Sequence, residues 1–87
     1  MITEEEIKEK IISALSEEFE LEPEKLRPSA TLYDDLGFDS LDAVDMVVVL
    51  EKTFGVKFND EEAIRSVRTV GDIFTLIIRL HHESLKN

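Results

Sequence analysis

Apolar residues return at helical intervals along this chain, while strand-type alternation is nearly absent, and that periodicity constrains the fold most strongly. Ile7, Ile11, Leu15 and Phe19 recur every four residues, which places them on one face of a first helix. Thr3 with Glu6 three residues later reads as a capping box, and Glu4, Glu5 and Glu6 crowd the first turn, where the helix dipole favours negative charge. A second helix is expected from about Ser40 to Phe54, with Asp39 as N-cap, Asp42 at N3 and Gly55 at the left-handed cap position. Val47, Leu50 and Phe54 make its core stripe, which Val44 could join, whereas Leu41, Met46 and Val48 fall away from it and are expected to be partly exposed. The triple valine at 47–49 has poor helix propensity, so packing must compensate. The caps and the spacing outweigh a strand reading of "AVDMVVVL". Asn59 with Glu62 can cap a short helix near 60–66. Thr69 with Asp72 opens a last helix, running to about residue 82 and burying Val70, Ile73, Phe74 and Ile77.

Residues 21–38, which contain both prolines, form a connection longer than compact domains usually leave without structure. Leu21, Leu26, Leu32, Leu36 and Phe38 can anchor it in the core, and "PEKL" can form a short helical turn after Pro23. The expectation is an all-α fold: a small four-helix bundle of three longer helices and one short one, with a long loop between helices 1 and 2. Eighty-seven residues leave room for one core, so residues 1–87 read as a single domain.

A formal net charge of −10 argues against nucleic acid and anionic membrane surfaces and in favour of partners with basic docking patches. The chain has no cysteine, so any thiol chemistry would have to arrive on a cofactor. "MITEEEIKEK" lacks the basic and apolar regions of a secretory signal, and the longest apolar run, "MVVVL", is far short of a membrane span. A cytoplasmic monomer with no stable membrane insertion is expected.

The stretch "LGFDSLDAV", residues 36–44, sets Ser40 between aspartates at a helix start. Hydrolytic use of Ser40 would need a base, an orienting group and an oxyanion hole. The two histidines are adjacent, at the far end of the last helix, and a glycine-flanked nucleophile elbow is missing. Side chains of neighbouring helical residues diverge by about 100°, so His81 and His82 make a poor chelating pair. Asp34, Asp35, Asp39 and Asp42 lack the spacing of a calcium loop. No enzymatic or metal site is therefore expected. What remains is Ser40 as an acceptor of chemistry performed by another protein, with the positive end of the helix dipole favouring an added phosphate.

"LGFDSLDAV" closely resembles the attachment-site motif of acyl carrier proteins. The resemblance extends through "LEKTFGVKFNDEEA" and "TVGDIFTLI" to nearly the whole chain. It implies that Ser40 is esterified with 4′-phosphopantetheine from coenzyme A by a separate phosphopantetheinyl transferase, and that the arm carries acyl groups as thioesters. Asp39 would belong to the motif the transferase reads, and Leu41 to the apolar spot where it docks. Asp42, Asp45 and Glu51 would form an acidic face for acyl-loading and acyl-using enzymes of fatty-acid, polyketide or related lipid synthesis. Met46 and Val44 would add apolar contacts to partners or cargo. Lys52, Asn59, Arg65, Arg68 and Phe38 depart from the pattern of primary fatty-acid carriers and point to a specialised carrier. Two alternatives stand beside this reading: a peptidyl, aminoacyl or D-alanyl carrier, and an acidic helical adaptor without a prosthetic group.

Overall fold

The computed structural model describes residues 2–58 and 61–85, without the side chains of 61–63 and 83–85. Among the described residues four α-helices follow in order: α1 (Glu4–Phe19), α2 (Ser40–Phe54), α3 (Glu61–Ser66) and α4 (Val70–Leu85). A single 3-10 turn, Pro23–Lys25, interrupts the long loop where "PEKL" predicts one. Among the described residues there is no strand, only an isolated antiparallel bridge between Thr31 and Thr69.

The boundaries follow local chemistry. The Glu6 N–H donates to Thr3 Oγ1 at 3.1 Å, starting α1 where the capping pattern places it. α1 ends on Glu20, held at φ 53° in the left-handed region that residues other than glycine rarely occupy. α2 ends on Gly55 at φ 66°, a conformation glycine adopts without steric cost. α4 opens with a reciprocal box: the Thr69 N–H donates to the Asp72 carboxylate at 3.1 Å, and the Asp72 N–H donates to Thr69 Oγ1 at 3.1 Å. α4 runs to Leu85, three residues beyond its expected end. The Asn59 cap of α3 lies outside the described residues.

α1 packs against both α2 and α4. Ile7, Ile11 and Leu15 meet Leu50, Val70, Ile73, Phe74 and Ile77 in one buried cluster. Leu26, Ala30, Leu32 and Phe38 bring the long loop into the same core, while Leu21 and Leu36 pack on its margin. The Phe19 and Phe38 rings lie 4.8 Å apart between centroids, tying the end of α1 to the residue before the α2 cap.

Backbone pairing completes the loop's anchorage. Leu32 N–H donates to the Arg68 carbonyl at 2.9 Å, Val70 N–H to that of Ala30 at 3.0 Å, and Gly71 N–H to that of Pro28 at 2.9 Å. A Cβ on Gly71 would stand 3.0 Å from the Pro28 oxygen, so a side chain here would push the two segments a few tenths of an ångström apart.

The inward arc of α2 differs from the expected stripe. Met46 is buried at 4% exposure, against the expectation of partial exposure, and Val44 does not join the core. Val47 and Phe54 are half-buried. Met46 precedes Leu50 by four residues, so the two share a face of α2, and both belong to the buried cluster.

Candidate functional site

Ser40 is the first residue of α2 and is exposed. Its exposure follows from its neighbour, because Asp39 does the capping. One Asp39 carboxylate oxygen accepts from the Asp42 N–H at 2.8 Å, and the Asp42 carboxylate accepts from the Asp39 N–H at 3.2 Å. This box defines where the helix begins without using the serine hydroxyl. The hydroxyl therefore stands at the positive end of the α2 dipole, where the first-turn N–H groups favour an anion.

The loop leading into the site is held by a second carboxylate. Asp35 accepts from the Thr31 N–H at 2.8 Å and from the Thr31 hydroxyl at 3.2 Å. The backbone bond from Thr31, followed by the hydroxyl bond, holds the Asp35 carboxyl below its ordinary value. Asp72 is lowered in the same way, first by the Arg68 N–H at 3.0 Å, which steadies the segment that pairs with Leu32.

Beside Ser40 lies a groove of about 470 Å³ between α2, the loop and the end of α3. Leu32, Met46, Val47 and Val67 give it an apolar floor, and Tyr33, Ser40 and Arg65 stand among its lining. Met46 thus reaches this groove from the core rather than facing solvent.

The outward arc of α2 carries the other candidates. Leu41 is 74% exposed, Val44 62% and Val48 41%. Asp45 is exposed beside them and Asp42 is partly covered. Glu51 is half-buried, and one of its carboxylate oxygens accepts the Phe58 N–H at 3.1 Å, holding the segment after α2. Two exposed apolar groups were not singled out as contacts from the sequence. Val48 lies seven residues from Leu41 and four from Val44, a spacing that places the three on one side of α2. Tyr33, 53% exposed, is an aromatic in an acidic loop, and that contrast was the available signal.

Among the described residues no group of three or more histidine, cysteine, aspartate or glutamate side chains is placed to hold a metal. No helix among them is long and apolar enough to cross a membrane.

Comparison with known proteins agrees with this geometry. The family described as "phosphopantetheine attachment site" matches residues 9–77. "Acyl carrier protein 2" of Ralstonia nicotianae is 43% identical over 72 residues, covering 83% of this chain and 88% of the relative. "Acyl carrier protein" of Thermosynechococcus vestitus is 40% identical over the same shares of both chains. "Acyl carrier protein" of Syntrophobacter fumaroxidans is 41% identical over 70 residues, 80% of this chain and 85% of the relative. With a helical bundle, a serine exposed at the head of α2 and a family match spanning most of its length, the chain belongs to the acyl carrier proteins, whose prosthetic group is 4′-phosphopantetheine.

Proposed function

We propose that Ser40 is the residue to which 4′-phosphopantetheine is attached, and that the chain ferries acyl intermediates among enzymes without catalysing their reactions. The observation that carries this reading is the division of labour at the head of α2, where Asp39 caps and Ser40 is left exposed. The residues present fit the group. The exposed Ser40 hydroxyl would supply the esterified oxygen, the first turn of α2 would favour the added phosphate, and an apolar groove opens alongside. When attached, the group supplies a terminal thiol that holds acyl cargo as a thioester. Its delivery suits a chain with no cysteine of its own.

Each neighbouring residue has a distinct task in this reading. Asp39 fixes the start of α2 and presents its charge to the transferase. Leu41 and Val44 offer apolar contact to partners, and Asp42 and Asp45 meet basic patches on them. Glu51 acts on the segment after α2, and Met46 lines the groove. Relatives named as acyl carriers support acyl rather than aminoacyl cargo. Work in cytoplasmic fatty-acid, polyketide or related lipid synthesis, as a single-domain monomer, is the setting that follows.

The test is incubation with coenzyme A and a broad-specificity phosphopantetheinyl transferase, followed by intact-mass measurement. A gain of one phosphopantetheinyl group that disappears in Ser40→Ala is expected. A gain that survives the substitution would overturn the assignment of Ser40, and no gain would overturn the carrier reading at this site.

A further inference from the structure

We propose that Lys52 makes the outward face of α2 selective, admitting partners with an acidic group beside their basic patch and disfavouring those whose docking patch is basic throughout. This inference rests on the reading of α2 as the docking face.

Seven residues bring a helix to within about 20° of two complete turns, so Lys52 lies nearly in line with Asp45, about 10 Å further along the axis. Both are exposed. Val48, also exposed, lies between them, and Leu41 lies four residues before Asp45 on the same side. Read from the Ser40 end, this one line of the helix presents apolar, negative, apolar and positive groups. A separation of about 10 Å equals roughly one Debye length at 0.1 M salt, so an approaching surface meets the two charges as separate features.

Charge complementarity defines the partner. A basic side chain placed against Asp45 gains attraction. A second basic side chain placed against Lys52 meets a like charge at the edge of the same apolar contact, which discriminates by repulsion. An acidic side chain at the second position is attracted by Lys52. Two charges of opposite sign along one line also fix direction, because a partner docked end for end would meet like charges at both positions. Net charge alone, at −10, carries neither the order nor the direction.

The experiment uses the 87-residue chain and two probe enzymes selected for docking patches that are basic throughout, a phosphopantetheinyl transferase and a carrier-dependent ketosynthase, each serving wholly acidic carriers. Second-order rate constants are compared for wild type, Lys52→Glu and Lys25→Glu. The last makes the same change in net charge at an exposed residue of the 3-10 turn, outside α2. Lys52→Glu should raise the rate constant about three- to tenfold at low salt, the reach of turning one exposed repulsion into an attraction, and the gain should fade at high salt. Lys25→Glu should change it by less than about twofold, since it lies off the docking line. Equal effects of the two substitutions, or no effect of Lys52→Glu, would overturn the proposal. Asp45→Lys separates that failure from failure of the underlying reading. If Asp45→Lys slows both enzymes while Lys52→Glu does nothing, docking on α2 stands and selection by Lys52 falls. If neither moves the rates although Ser40 is still loaded, the docking face lies elsewhere.

Discussion

Capping by Asp39 and the modification proposed for Ser40 are adjacent at the head of α2, and substitutions can pull them apart. Asp39→Ala removes the carboxylate that accepts from the Asp42 N–H at 2.8 Å, leaving one first-turn donor without its side-chain partner. Loss of such a cap costs about 1 kcal/mol, within a range of about 0.5–2 kcal/mol. In a domain of this size about 1 kcal/mol corresponds to roughly 4–8 °C in Tm. Asp39→Ser restores a good capping oxygen and should recover most of that loss. Ser40→Ala puts the best helix former at an exposed first-turn position, so its effect should stay within about 0.5 kcal/mol.

Thermal unfolding followed by far-ultraviolet circular dichroism measures all three, and urea titration checks that the slope is unchanged. Asp39→Ser carries the second half of the test. It keeps the cap and removes the charge, so phosphopantetheinylation should slow while Tm barely moves. If Ser40→Ala lowers Tm as much as Asp39→Ala does, the serine is the cap and the division of labour is wrong.

Three further outcomes follow from the packing and the carboxylate pairs. Met46→Ala should cost about 2–5 kcal/mol, the range for emptying a buried methionine site, whereas Val44→Ala should stay within about 0.5 kcal/mol; equal costs in urea titration would mean that the inward arc of α2 is misplaced. The folded-state values of Asp35 and Asp72 lie below the ordinary 3.8, so the stability they contribute is present above that value and is lost as pH falls through the lower ones. Tm should therefore decline progressively below about pH 4, and Asp72→Asn should flatten that decline, as thermal scans at stepped pH would reveal. Glu20→Gly relieves a left-handed residue at about 1–2 kcal/mol of strain, offset in part by the entropy of glycine, and should raise Tm by a few degrees for a net gain of about 0.5–1 kcal/mol.

The parts of this fold that were legible in the sequence are those whose causes are local. Thr3 with Glu6, Asp39 with Asp42 and Thr69 with Asp72 each bring a cap and its target within three residues, so three of the helix starts could be read directly. Leu26, Leu32 and Phe38 announced an anchored loop, but the bonds from Leu32 to Arg68 and from Gly71 to Pro28 join segments far apart in the chain, and no periodicity reports them. Met46 was misplaced because spacing defines the width of an apolar arc without saying on which side the neighbouring helix lies. The bond from the Phe58 N–H to Glu51 is likewise invisible to spacing, because the donor is a backbone group seven residues away. At the site, the cap on Asp39 is legible from chemistry, whereas the role proposed for Ser40 comes from the motif around it. An exposed serine at a helix start is otherwise ordinary.

The acidity of the chain and the two-sidedness of α2 have a common explanation in what a carrier must leave uncovered. Leu41, Val44 and Val48 form an exposed apolar strip, which on the proposed reading a partner reaches, and an apolar strip open to one partner is open to a second copy of the chain. A net charge of −10 on each copy opposes that self-contact over distances at which apolar attraction has not begun, since electrostatic repulsion reaches about 10 Å at 0.1 M salt and contact burial acts only at closest approach. A basic partner feels the opposite sign and is drawn to the same strip. The charge therefore sorts encounters before the apolar groups touch, and these groups can remain exposed without a built-in cover. On this account the inward arc of α2, with Met46 and Leu50, governs whether the chain folds, and the outward arc, with Leu41, Asp45, Val48 and Lys52, governs whom it meets. Substitutions on one arc should move stability with little change in the salt dependence of partner encounter, and substitutions on the other should do the reverse.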